Sequence, residues 1–251
     1  MHHLLAGLPL ELDMDGSDGE TELLVVGFGP VGATIANLLG RYGVRTLAID
    51  AATEIFPQPR AIALDNEALR ILQAAGLSEG AFETIAIPEV RYRSPYVGQL
   101  ARLETGGCLD GHPKLVTFYQ PELESELRSR AREHPSVTVE LGVELVEFAE
   151  VEGGVRARLR ELDGKEHTVH AKYLVGADGA KSRVRKALGV GFDGRSYAED
   201  WLIVDAKRDS SSLDHIEFLC DPRRPAPHMP ARGGRERWEF MLHPGESAEE
   251  M

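Results

Sequence analysis

The chain has 251 residues, 42% of them hydrophobic and 27% charged, with a net charge of −13. That is an ordinary globular composition, and the acidic balance argues against nucleic acid as a partner, because such binding needs a cationic footprint. No apolar run approaches the roughly 18 residues that a membrane span needs, so no membrane partner is expected.

Taken in chain order, residues 1–20 lack a basic segment before an apolar one and do not read as a signal peptide. They are expected to form a poorly ordered leader. Glu22–Val26 is a short apolar run ending at glycine, the pattern of a buried parallel strand. Pro30–Tyr42 carries Val31, Ile35, Leu38 and Leu39 at helical spacing, with proline in the first turn and Gly43 as terminator. Arg45–Asp50 reads as the second strand. A further helix is expected over Asp65–Ala75, closed by Gly76.

Residues 77–118 look irregular, broken by prolines and glycines. Pro121–Glu133 is a charged amphipathic helix with Leu123 and Leu127 on one side. From Val137 the period changes to two, predicting antiparallel strands that turn at Gly153-Gly154 and again at Asp163-Gly164. His167–Ala177 returns as a strand ending at Asp178-Gly179, and Ser182–Leu188 is a short helix. Strands follow at Trp201–Ala206, His215–Cys220 and Arg235–Leu242.

The fold class that this implies is α/β. A Rossmann-like first part over residues 21–195 contains an inserted antiparallel hairpin, and residues 196–251 begin a β-sheet substrate domain that reads as truncated. Cys108 and Cys220 form no C-x-x-C and no disulfide framework, which fits a reducing cytoplasm. The nine histidines show no metal-ligand spacing and no G-x-S-x-G occurs, so no metal site and no catalytic residue is assigned.

One motif carries chemistry. Gly27-Phe28-Gly29-Pro30-Val31-Gly32 lies between the first strand and the first helix. In that context G-x-G-x-x-G binds a dinucleotide. Gly27 permits the tight turn, Gly29 lets a pyrophosphate approach the backbone, and Gly32 lets the helix pack closely. Asp50 follows Gly32 by 18 residues, the spacing of a carboxylate that bonds a ribose hydroxyl. It favours a free 2′-hydroxyl over a 2′-phosphate, hence FAD or NAD. The basic cluster of Lys181, Arg183, Arg185 and Lys186 reads as a solvated helix face or as contacts to cofactor phosphates.

Four stretches in this order resemble the flavoprotein aromatic hydroxylases of the 4-hydroxybenzoate hydroxylase type, and among them the 3-(3-hydroxyphenyl)propionate hydroxylases. They are Gly27–Ala36, Arg60–Asp65, Phe118–Glu124, and Gly176–Gly179 with Ser182, Val184 and Arg185. The resemblance covers about residues 21–251 and implies FAD as cofactor and NADH or NADPH as co-substrate. It places Arg60 at the FAD pyrophosphate, where a guanidinium suits phosphate oxygens. Gln120 falls near the ribityl chain, and Asp178 and Gly179 near the pyrophosphate and the NAD(P)H approach.

The implied reaction reduces FAD, adds O2 to form a flavin hydroperoxide, and transfers one oxygen to a phenolic ring. The partners are then a small aromatic substrate and O2, with a homo-oligomer left open. Trp238, Phe240 and the strand around Ile216–Leu219 would either line the substrate side or belong to the core. The family also carries a Gly-Asp pair after a late strand, and this sequence contains none. The chain therefore resembles the N-terminal portion of such an enzyme, and it stays open whether these residues alone hold FAD or turn over. Two rivals remain: another FAD-dependent oxidoreductase of the same fold, and a non-catalytic dinucleotide-binding fragment.

Overall fold

The computed structural model describes residues 19–207 and 213–249, so the expected leader falls almost wholly outside the described residues. Its last two residues do not: β1 spans Gly19–Val26 and begins before Thr21. The helix α1 (Pro30–Arg41) then leads to β2 (Thr46–Asp50). On α1 the buried residues are Gly32, Ala33, Ala36 and Asn37, while Val31 is 65% exposed. The spacing had put Val31 inside, but only small side chains let this helix lie close to the strands.

A short β3 (Ala63–Asp65) precedes α2 (Asn66–Ala74), whose N-cap Asp65 accepts a hydrogen bond from Ala68 N. The stretch expected to be irregular holds six strands: β4 (Thr84–Ala86), β5 (Glu89–Ser94), β6 (Gly98–Glu104), β7 (Cys108–Leu109), β8 (His112–Pro113) and β9 (Leu115–Phe118). Each is short, and prolines and glycines fall among them, so no window held a clear period. Next come α3 (Gln120–Glu133), β10 (Val137–Leu141), β11 (Glu144–Val151), β12 (Gly154–Arg160), β13 (Glu166–Gly176), α4 (Arg183–Ala187) and β14 (Trp201–Lys207). The described chain closes with β15 (Ile216–Leu219), β16 (Ala226–Ala231) and β17 (Arg235–Met241). Pro227 and Pro230 had hidden β16 in the sequence.

Among the described residues two six-stranded sheets hold twelve of these strands, β3, β9 and β4 form a third sheet, and β7 pairs with β8. The first has the order β10-β2-β1-β13-β12-β11. Its first four strands are mutually parallel, and β11 and β12 extend it as the antiparallel hairpin expected. β10 departs from expectation: it joins β2 in parallel instead of opening the antiparallel set. Period two reports a pleat and not a direction, and α3 brings the chain back to run alongside β2.

Parallel strands are buried on both faces, and the first sheet follows that rule. Val25 and Ala48 pack with Ala33, Ala36, Leu123 and Leu127 of α1 and α3 on one face. Leu24, Val26, Leu47 and Ile49 pack with Leu145, Ala157 and Leu159 on the other. The second sheet runs β14-β17-β16-β15-β5-β6. Residues beyond 196 supply four of its strands, and β5 and β6 come from residues 89–104.

Candidate functional site

The G-x-G-x-x-G stretch forms a turn that tolerates no side chain at two of its glycines. Gly27 has φ of +97°, a region that favours glycine, and a Cβ there would lie 2.5 Å from Ala177 O. A Cβ on Gly32 would lie 1.8 Å from Gly27 O. These contacts draw α1, the end of β1 and the end of β13 together. Gly29 differs, because a Cβ on it would meet nothing within 4 Å. Its backbone borders open space at the N-terminus of α1. The first-turn N–H groups there have no intrahelical acceptor and sit at the positive end of the helix dipole.

That space is a crevice of about 710 Å³. It is lined by Gly27 after β1, Asp50 and Ala51 at the end of β2, Val143 after β10, and Ala177, Asp178 and Gly179 after β13. It thus lies beyond the carboxyl ends of all four parallel strands, where open α/β sheets bind ligands. Arg60 and Gln120 also line it. Seven of the eight residues expected at a cofactor site therefore meet in one place. The eighth, Gly32, acts from behind the turn. The crevice sets three cations, Arg60, Lys181 and Arg183, among three carboxylates, Asp50, Glu144 and Asp178.

Several polar wall residues are held by partners of their own. Asp50 Oδ2 accepts from Phe28 N at 2.8 Å, and Oδ1 from Ala52 N at 2.8 Å. Each oxygen keeps a second lone pair for a ligand hydroxyl. Gln120, expected near the ribityl chain, is the first residue of α3 and does not cap it, since the N-cap is Tyr119. Its Oε1 accepts from Arg60 N at 2.9 Å and Ala61 N at 2.8 Å, so only its NH2 end remains to donate toward a ligand.

The same backbone is gripped from the other side by Arg237 of β17, which is fully buried. Arg237 donates to Pro59 O at 2.7 Å and Arg60 O at 3.3 Å, and pairs with Asp205 at 2.8 and 2.9 Å. The Arg60 side chain itself is exposed, with its guanidinium 5.7 Å from the Phe56 ring centroid. No spacing rule linked Arg237 to Arg60, because the two lie 177 residues apart.

Asp178 turns its carboxylate onto α4. Oδ1 accepts from Ser182 Oγ at 2.5 Å, and Oδ2 from Arg183 N at 2.6 Å and Val184 N at 3.2 Å. Burial raises its pKa, but these hydrogen bonds together outweigh burial and hold the carboxyl below its usual range. Glu144, a wall residue that the sequence did not single out, pairs with Arg160 and lies 3.6 Å from Arg183 Nη1. The Arg160 hydrogen bond depresses its pKa against the opposing effect of burial, helped by the Arg183 charge.

The second sheet carries an apolar trough of about 480 Å³ lined by Tyr92, Trp201, Phe218, Pro227 and Met241 among others. Tyr92 and Phe218 stack at 5.0 Å between centroids. Side chains alternate along a strand, so Trp238 and Phe240 lie on the face opposite Met241, and Trp238 stacks on His228 at 4.4 Å. Glu239 shares the face of Arg237 and Met241. Burial holds its pKa above the ordinary value, raised further by Asp205 and opposed by Arg237.

A family model described as "FAD binding domain" matches residues 20–251. The chain belongs to the FAD binding domain family. This FAD binding domain is 38% identical over 236 residues to a 3-(3-hydroxy-phenyl)propionate/3-hydroxycinnamic acid hydroxylase of Comamonas testosteroni, covering 94% of this chain and 40% of that protein. It is 37% identical to a protein of the same name from Mycobacterium sp. (strain JLS), covering 93% of this chain and 41% of that one. The domain thus spans about two-fifths of the length of these relatives.

Among solved structures it is similar to aklavinone-11 hydroxylase in a ternary complex with FAD and aklavinone, at TM-score 0.75 and 27% identity, over 94% of this chain and 48% of that one. It is also similar to the flavin-dependent monooxygenase PieE with FAD and substrate, at TM-score 0.80 and 25% identity, over 92% and 44%. The α/β fold expected from the sequence is thus that of FAD-dependent monooxygenases. The residues of the crevice fit the cofactor that the family is named for. Cations and helix N–H groups suit a diphosphate, Asp50 suits a ribose, and the open side of Gly29 leaves the backbone approachable. No helix of the described residues is long and apolar enough to cross a membrane.

Proposed function

We propose that this chain is the cofactor-holding part of an FAD- and NAD(P)H-dependent monooxygenase that hydroxylates a phenolic acid resembling 3-(3-hydroxyphenyl)propionate. The observation that carries the proposal is the meeting of Gly27, Gly29, Asp50, Arg60, Gln120, Asp178 and Gly179 around one crevice at the carboxyl ends of the parallel strands. The substrate class rests on the identity to hydroxylases of that printed name.

Bound FAD would supply hydride acceptance from NAD(P)H and activation of O2, chemistry that belongs to the cofactor and not to the protein. The chain's own residues bind and orient. Gly29 and the first turn of α1 cradle the diphosphate. Arg60 adds a guanidinium, and Asp50 accepts from the ribose hydroxyls. The NH2 end of Gln120 is available to the ribityl side. Asp178 acts indirectly: by tying down α4 it fixes Gly179 and Lys181 at the wall. The ring would lie on the face of the second sheet that carries Tyr92 and Phe218. In functional terms residues 21–195 build the crevice, and residues 196–251 contribute to the sheet that receives the ring. Cys108 and Cys220 are free thiols, which fits a cytoplasmic location, and a homo-oligomer is compatible with the exposed edge strands β6 and β14.

FAD titration with fluorescence detection tests the cofactor proposal. Binding that Arg60→Met weakens about tenfold, the worth of one charge-assisted contact, supports it. An unperturbed flavin signal at saturating protein overturns it for this chain. For a protein of the relatives' full length that carries this chain, NAD(P)H oxidation accelerated by phenolic acids, with one oxygen of O2 found in the product, is the expected outcome.

A further inference from the structure

Behind Asp50 lies a charge arrangement that neither the dinucleotide motif nor the diphosphate cradle uses. Arg128 of α3 has a side chain only 6% exposed. Its Nη2 lies 2.7 Å from Glu124 Oε1 and 3.8 Å from Asp50 Oδ2. Its guanidinium carbon is 5.5 Å from the ring centroid of the buried Phe28, inside the glycine turn itself. Arg128 Nε is buried with no hydrogen-bond partner. The Glu124 side chain is 6% exposed.

A buried arginine is always charged, and an unbalanced buried charge is strongly disfavoured. Two carboxylates share this cation, so the trio of Asp50, Arg128 and Glu124 carries one net negative charge. Asp50 alone would face the ribose as a carboxylate, but Arg128 alone beside it would cancel that charge and leave little to repel an anion. Glu124 is the residue that restores the sign. It occupies α3 one turn before Arg128, on the side that also buries Leu123 and Leu127.

We propose that Glu124 and Arg128 set the sugar specificity of the crevice through Asp50: the pair keeps the ribose pocket net negative, so it takes a ribose diol and rejects a 2′-phosphate. This rests on the dinucleotide reading above and deepens it. Glu124 and Arg128 are positioning residues, since neither touches the ligand. Both exert their effect at the 2′ position, within several ångströms of Asp50. At that range in a partly buried site, one unit charge changes the binding of a phosphate by about tenfold or more.

The test compares ADP-ribose with 2′-phospho-ADP-ribose by calorimetry on the 251-residue chain, and reads the ratio of the two dissociation constants. Glu124→Gln keeps the shape and the acceptor but removes a negative charge, so the ratio shifts toward the 2′-phosphate by about tenfold. Arg128→Met removes the cation and shifts the ratio the opposite way. Opposite shifts support the proposal. A purely structural role would weaken both ligands together and leave the ratio fixed in both variants, which overturns it. If one variant fails to fold, the sign of the other decides. A parent chain that binds neither ligand overturns the dinucleotide reading itself, whereas binding with unchanged ratios overturns only the role of the pair.

Discussion

The two six-stranded sheets contribute to the crevice in opposite ways. The first builds it from loops that follow the carboxyl ends of neighbouring parallel strands, from the glycine turn and Asp50 to Asp178 and Gly179 far along the chain. The second sends no side chain into it. It contributes Arg237, fully buried and engaged by Asp205, Pro59 and Arg60, which fixes the backbone that carries Arg60. An exposed arginine with its guanidinium over an aromatic ring is free to meet a ligand. A buried one with every direction satisfied is architecture. The same residue type thus does two jobs, and burial and partners decide which.

Replacing Arg237 is the strongest way to break this contrast. Arg237→Met leaves the Pro59 and Arg60 carbonyls and the Asp205 carboxylate without their donor, and loss of one member of a buried ion pair costs about 3 kcal/mol or more. Urea denaturation should show that loss, and lysine should fail to restore it because it cannot make the forked contact. A Met variant as stable as the parent would mean that the second sheet does not hold the Arg60 segment.

The glycines sharpen the comparison within the first sheet. Gly32→Ala places a Cβ against Gly27 O and should cost about 2 kcal/mol by forcing the helix off the turn. Gly29→Ala has open space and should leave the melting temperature nearly unchanged while weakening FAD at least several-fold. Equal effects of the two on stability would contradict the division between a packing glycine and a ligand-facing one.

The smallest expected effect belongs to Asp178. Its carboxyl titrates below the usual range in the folded chain because hydrogen bonds to α4 outweigh burial. A depressed folded pKa stabilises above the unfolded value of about 3.9 and loses that contribution as pH falls through the folded value. Asp178→Asn should therefore be less stable than the parent near neutrality, by under about 1 kcal/mol as for a helix cap. The difference should close below about pH 4. A gap that stays constant down to acid unfolding would show that the carboxylate charge is not what holds α4.

Much of the crevice was legible before any tertiary structure. Gly27, Gly29, Gly32 and Asp50 are set by local geometry, since a β-α-β unit has nearly fixed dimensions and its turn accepts few residue types. Arg60, Gln120, Asp178 and Gly179 were placed by resemblance, and the fold brings them to the same wall. The detail of their contacts was not legible. Gln120 spends its carbonyl on the Arg60 segment and Asp178 spends its carboxylate on α4, because which donor reaches an acceptor depends on loops folding back in space. The sequence reading singled out Leu123 and Leu127 on α3 but not Glu124 and Arg128 beside them, and only the structure aims that pair at Asp50.

By itself the sequence determined the local elements: strands and helices with a clear period, the glycine turn, and the acidic residue one β-α-β unit later. Tertiary structure decided what local period cannot encode. It set the parallel direction of β10, the union of β5 and β6 with strands more than a hundred residues later, and the burial of Arg237 against Asp205. The reason is physical. Backbone period and turn chemistry act over a few residues, whereas strand direction, pairing partner and the company of a buried charge depend on which distant surfaces the collapsed chain brings within hydrogen-bonding range.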